Sequence, residues 1–162
     1  HEHMLRFFDK RPFMWATHLW NTFDFAADAR NQGGEPGMNH KGLITFDRKV
    51  KKDSFYLYKA WWSKEKFVHI CSKRYVERPD AVTTIKVYST EKTVKLIVDG
   101  KVVGEETRDD HVFTFKVPLE GEIKVEAVSG DCTDSATFTK VDTMPAKYIL
   151  PKKKNPQKSN WV

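Results

Sequence analysis

Residues 67–142 constrain the fold more than any other stretch, because Val, Thr, Ile and Lys alternate there with the period of two expected of strands with one buried face. Segments 67–72, 83–89, 94–98, 102–107, 112–117, 122–128 and 135–140 carry the pattern. Asp99-Gly100, set between two of them, is a two-residue hairpin signal, since both turn positions need a positive φ that Asp tolerates and Gly adopts freely. Gly121 and the pair Gly130-Asp131 mark further turns. Short strands at this spacing read as a β-sandwich.

The first third of the chain is built on different lines. Of the 21 aromatic residues, 13 fall in residues 1–66. Met4, Leu5, Phe7 and Phe8 recur at helical spacing, and Arg11-Pro12 closes that helix because the residue before a proline is pushed out of the α region. Residues 13–20 run almost continuously apolar, with Thr17 and His18 inside, as expected of a strand buried on both faces; Trp15 and His18 are then core residues. A polar, Gly-rich stretch follows over 27–41, including Gly33, Gly34, Pro36 and Gly37, long enough to be a functional loop. After a short apolar segment at 42–46, Asp53 is placed to cap a helix whose Phe55, Tyr58, Trp61 and Trp62 share a face. Helix, strand, long loop and helix is the grammar of an α/β barrel.

Charge and cysteine usage narrow the function. The net charge of +6 divides into 12 basic and 8 acidic residues over 1–66, 11 and 14 over 67–142, and 5 and none over 143–162. The excess forms no basic stripe on a helix or RNA-binding motif, which argues against nucleic acid as partner. Lys152-Lys153-Lys154 lies in a Pro-containing tail, which Trp161 can anchor, and reads as solvated chain. No apolar run approaches the ~20 residues of a membrane helix, so no membrane partner is expected. Cys71 and Cys132, 61 residues apart, read as buried thiols rather than a disulfide or zinc framework. His1 and His3 do not by themselves make a metal site.

Three runs then carry a resemblance. Leu19-Trp20-Asn21-Thr22-Phe23-Asp24-Phe25, Met38-Asn39-His40-Lys41-Gly42-Leu43 and Thr45-Phe46-Asp47-Arg48-Lys49 continue through Lys51-Lys52-Asp53-Ser54-Phe55-Tyr56 to Trp61-Trp62. In order and spacing they are similar to the end of the catalytic barrel of family 2 glycoside hydrolases of the bacterial β-galactosidase type. The resemblance implies a mixed fold, the C-terminal fragment of an α/β (TIM) barrel over 1–66 followed by an all-β immunoglobulin-like sandwich over 67–142, with a basic linker or tail over 143–162. It implies part of a retaining, exo-acting β-glycosidase acting on terminal β-linked sugars. The two catalytic glutamates of that family match no segment here, and Glu2 corresponds to the helix after the nucleophile strand, so the chain alone is expected to be inactive. No cofactor is implied.

The substrate-binding residues implied are Trp20, a sugar platform at the end of the presumed last barrel strand, with Asn39, Lys41 and Asp24 beside it. Asp24 either orients site side chains or is a structural carboxylate. An Asn-x-Lys pair like Asn39 and Lys41 holds the uronate carboxylate in β-glucuronidases, so the substrate is a terminal β-galactoside or a β-glucuronide. A third reading is a non-catalytic carbohydrate-binding module; Tyr75, Tyr88, Phe113, Phe115 and Phe138 are spread along the strands as core rather than gathered as a platform. One barrel strand cannot bury both faces alone, so residues 1–66 are expected to pack on the sandwich, on upstream barrel segments or on another copy of the chain. The compartment is not legible in the sequence.

Overall fold

The computed structural model of the chain describes residues 1–30 and 35–149. In chain order these form α1 (Glu2–Asp9), β1 (Phe25–Ala26), β2 (Met38–Asn39), α2 (Asp53–Trp62), β3 (Val68–Ile70), β4 (Glu77–Arg78), β5 (Val82–Ser89), β6 (Thr93–Val98), β7 (Lys101–Thr107), β8 (Val112–Pro118), β9 (Glu122–Ser129), β10 (Cys132–Lys140) and a 3-10 turn at Ala146–Tyr148. Every strand expected from alternation between residues 67 and 140 is present. β4 was not expected, since two residues are too few to show a period; it pairs in parallel with the end of β10.

Two sheets stack to make the sandwich, one ordered β4-β10-β9-β6-β7 and the other β3-β5-β8. The β6–β7 hairpin turns on Asp99 and Gly100, at φ 48° and 79°. The β9–β10 hairpin turns on Gly130 and Asp131, only the glycine having positive φ. Alternation sends Ile85 and Val87 of β5, Phe113 and Phe115 of β8, Val94 and Leu96 of β6, Val125 and Ala127 of β9, and Phe138 of β10 into one shared core. Arg78, only 4% exposed, lays its guanidinium 3.7 Å from the centre of the Phe138 ring. It donates to Tyr75 O, Thr83 Oγ1 and Thr84 O and ion-pairs with no carboxylate among the described residues.

The opposite face of the three-stranded sheet is covered by the two helices. Leu5 of α1 and Leu57 and Ala60 of α2 pack on Cys71, Tyr88 and Val112, with Tyr56, Tyr58, Trp61 and Phe67 at the margin. The buried face of α2 is thus carried by Leu57 and Ala60 rather than by the expected aromatic set, and Trp62 stays exposed. Asp53 opens α2 but does not cap it. Lys52 is the N-cap residue, and the Asp53 carboxylate turns away to accept from His69 Nε2 at 3.0 Å and the Ser72 N–H at 2.8 Å, partners from another segment that replace its own helix's amides.

Residues 13–20 do not form the expected strand. Phe13 and Trp15 are exposed, Trp15 by 94%, and so is His18, so neither Trp15 nor His18 is a core residue. An extended apolar run becomes a strand only where a neighbour offers backbone partners, and the other described strands are engaged in sheets of their own. Cys71 is buried as expected, whereas Cys132, at the start of β10, is half-buried. At the far end, residues 143–149 are docked rather than extended. Tyr148 sets its ring edge-on to Tyr75 at 4.9 Å, its hydroxyl accepts the Val76 N–H at 3.2 Å, and Lys147 ion-pairs with Glu77. Lys152 to Lys154, Trp161, Gly33 and Gly34 lie outside the described residues. No described helix is long and apolar enough to cross a membrane.

Candidate functional site

The segment after Trp20 folds back on the long loop. β1 and β2 pair antiparallel, Phe25 opposite Asn39 and Ala26 opposite Met38, and the Ala27 N–H to Gly37 O bond of 2.7 Å closes the turn between them. Residues 42–44 then run alongside 21–24: Leu43 N–H reaches Asn21 O at 3.1 Å, Ile44 N–H reaches Thr22 O at 2.9 Å, and Asp24 N–H returns to Ile44 O at 2.9 Å. Gly42 is obligatory in this packing, because a Cβ there would lie 2.1 Å from the Asp24 nitrogen.

Asp24 is the knot. Its carboxylate, 3% exposed, accepts from the Gly42 N–H at 2.9 Å and from Lys52 Nζ at 2.6 Å, and His40 Nδ1 stands 3.7 Å away. Lys52 also donates to His40 O at 2.9 Å. One buried carboxylate therefore ties β1, the 40–42 loop and the residue before α2 together. These contacts are of the kind a structural carboxylate makes.

The other expected site residues gather around this knot. Asn39 is buried, and its Oδ1 accepts the Lys41 N–H at 2.9 Å, an Asx-type turn that fixes where Lys41 leaves the backbone. Lys41 is half-buried. Trp20 is 72% exposed, meets Phe25 edge-to-face at 6.1 Å and is joined to Asn21 by a cis peptide. Since Phe25 pairs with Asn39, the Trp20 indole and the loop bearing Lys41 are anchored on one small ribbon. Chemically, one ribbon carries an accessible flat ring and, on a fixed turn, a lysine, groups suited to a ligand with an apolar ring face and polar or anionic substituents. Lys52 and His40 were missed by sequence reasoning; nothing in the run Lys51-Lys52 distinguishes the lysine that pairs with a buried acid from the one in solvent.

Two further groups of polar side chains lie under the helices. Glu2 accepts from Lys86 Nζ and the Tyr88 hydroxyl, both at 2.7 Å. Burial pushes its carboxyl up, but these two bonds outweigh burial and hold it below its ordinary value. Asp53, His69 and Cys71 place their potential ligand atoms within 4.8 Å of one another. They are already engaged. Asp53 holds His69 and the Ser72 amide, Tyr56 stacks on the His69 ring at 3.7 Å, and burial pushes the Cys71 thiol far up.

Residues 80–132 match a family model described as a domain of unknown function, DUF4982. A β-glucuronidase of Bacteroides fragilis is 44% identical over 103 residues, covering 63% of this chain and 15% of that protein. Among solved structures, an FMN-binding β-glucuronidase from Facaelibacterium prausnitzii L2-6 is similar with a TM-score of 0.89 and 48% identity, over 93% of this chain and 24% of that one. A protein described as a β-galactosidase, from Bacteroides fragilis, is similar with a TM-score of 0.79 and 35% identity, over 86% of this chain and 22% of that one. The chain thus spans less than a quarter of the length of these relatives.

Proposed function

From a chain homologous to β-glucuronidase- and β-galactosidase-like glycoside hydrolases, we infer that it supplies one wall of the sugar subsite of a retaining, exo-acting β-glycosidase of family 2, whose two catalytic glutamates lie elsewhere in that enzyme. Residues 1–66 are the closing part of its α/β barrel, residues 67–142 an immunoglobulin-like sandwich and residues 143–162 a linker or tail. Two features support the barrel assignment. Phe23 and Ile44 bridge in parallel, as neighbouring barrel strands do. Met14, Trp15 and Trp62, all exposed, line one apolar groove that other barrel elements would cover.

The observation that carries the reading is the exposed Trp20 ring on the ribbon that fixes Lys41. Trp20 takes the apolar face of the terminal sugar. Lys41 meets its polar edge, and Asn39 and Asp24 act by holding the loop. The galactoside and glucuronide readings part at Lys41, whose ammonium suits a carboxylate at the sugar's C5 position. In the enzyme containing this chain, Lys41→Ala is expected to cut kcat/KM for nitrophenyl β-glucuronide by roughly 100-fold, the worth of a charge-assisted contact, with smaller loss on nitrophenyl β-galactoside. Equal loss on both substrates favours the galactosidase reading; no loss on either removes Lys41 from the site.

A second ligand is favoured by a separate feature. The similar structure from Facaelibacterium prausnitzii is described as FMN-binding, and this chain has a groove away from Trp20 rich in cations and tyrosines. A flavin nucleotide is the ligand that suits it.

A further inference from the structure

We propose that Asp53, His69 and Cys71 form a binding site for a divalent transition-metal ion of the zinc class, with water from solvent as the fourth ligand. The placement follows from the chain. His69 and Cys71 are two apart along an extended segment, so both side chains leave the face of the three-stranded sheet that α2 covers, while Ile70 between them enters the sandwich core. α2 begins at Asp53, and the three potential ligand atoms lie within 4.8 Å of one another. Zinc binds nitrogen, sulfur and oxygen at about 2.0–2.3 Å in a tetrahedron, which sets neighbouring ligand atoms about 3–4 Å apart, so shifts of about an ångström close the set. Thiolate and imidazole select such an ion over magnesium or calcium, which take oxygen ligands.

Charge and surroundings favour the same ion. An Asp53 carboxylate and a Cys71 thiolate beside a neutral imidazole balance a dication, where His69 and Cys71 are only 7% and 5% exposed. Burial keeps the Cys71 thiol protonated, and coordination removes that proton to solvent. His69 is held from two sides, by Tyr56 stacked at 3.7 Å and by Asp134 Oδ2, 3.8 Å from its Nδ1. With the Nε2 lone pair on the ion, the ring proton sits on Nδ1 facing Asp134, the second carboxylate that orients a metal-bound histidine. Asp134 is itself fixed by the Ile70 N–H at 2.7 Å and by Lys73, whose charge it neutralises. Asp53 Oδ1 exchanges its bond to Nε2 for the ion, and Oδ2 keeps the Ser72 N–H. Asp53 and His69 also line a groove of about 380 Å³, which gives the ion an entry path and water access to the open position.

The test is a titration of the full chain, reduced and treated with chelator, with cobalt(II) and then zinc, in a His3→Gln background that removes competition from the terminal histidines. Saturation at one cobalt per chain is expected, with a near-ultraviolet thiolate-to-cobalt charge-transfer band that zinc abolishes. Cys71→Ser should eliminate the band, and Cys132→Ser, at the other thiol, should leave it. Asp134→Asn, which does not touch the ion, should weaken cobalt binding by about 10- to 100-fold. Asp53→Asn alters a partly exposed carboxylate and should weaken it at least as much. Zinc should raise the melting temperature of the parent and not that of Cys71→Ser, and the melts establish that each variant is folded. Absence of the charge-transfer band at millimolar cobalt overturns the site on the parent chain alone. A band that survives Cys71→Ser, or affinity indifferent to both Asp53→Asn and Asp134→Asn, also overturns it.

Discussion

Replacing Lys52 by methionine asks how much of the 20–44 ribbon depends on one ion pair. The substitution keeps the aliphatic stem and removes the ammonium that lies 2.6 Å from Asp24. The carboxylate left behind is 3% exposed and keeps the Gly42 N–H, with His40 at 3.7 Å. Breaking a fully buried pair by deleting one partner costs about 3–5 kcal/mol, mostly the penalty for the charge left unpaired. Lys52 retains 21% side-chain exposure, so water can partly replace it, and about 2–3 kcal/mol is the figure expected here. The ribbon makes few contacts with the sandwich, so the loss should appear as local opening. Amide hydrogen exchange at Gly42, Leu43 and Ile44 should accelerate roughly 30- to 150-fold, while Val125 in the core of β9 stays unchanged. Adding Asp24→Asn, which removes the stranded charge and keeps an acceptor for Gly42, should restore most of the protection. Acceleration below about threefold at all three amides, or equal acceleration at Val125, would refute the knot as described.

Three other expectations follow from the same structure. Gly42→Ala should abolish protection of the 42–44 amides and any sugar binding while leaving the sandwich melt intact, because the added Cβ meets the Asp24 nitrogen at 2.1 Å; an unaltered exchange pattern would contradict this. Phe138→Leu should lower stability by about 2–4 kcal/mol in urea melts, the lost packing plus the cation–π contact of buried Arg78, and by about 1–2 kcal/mol less in an Arg78→Met background; coupling under about 0.5 kcal/mol would remove the cation–π contribution. Glu2 and Asp53 both have carboxyls held below their ordinary values, in each case because hydrogen bonds outweigh burial. Their contribution is therefore complete above the unfolded values of 4.5 and 3.8 and is lost as pH falls through the lower folded values. Glu2→Gln should be less stable than wild type at neutral pH and equal to it in strong acid; a constant gap in urea midpoints across that range would refute the assignment.

The sandwich, apart from the two-residue β4, was legible because each of its other strands carries its own evidence. Alternation at 83–89 or 122–128 and the Asp99-Gly100 turn are local signals, and each side chain's face follows from the period of two. The 13–20 run was not legible for the opposite reason. A continuous apolar segment says only that something covers it, and Trp15 shows that the described residues do not. Asp53 was misread as a cap because its competing partners, His69 and Ser72, are distant in sequence and joined to it only by folding. At the candidate site, Trp20 and the Asn39–Lys41 pair were found through motif order, whereas Lys52, which holds Asp24, had no local signature to set it apart from Lys51.

The most direct test of the sugar-subsite account is Trp20→Ala in the glycosidase that contains this chain, assayed on the better of the two nitrophenyl glycosides. Because the ring is exposed and Phe25 is its one aromatic contact among the described residues, folding should be preserved. The account predicts a fall in kcat/KM of roughly 100-fold or more, the worth of a stacked platform in a closed subsite. Unchanged kcat/KM in a folded variant would contradict it.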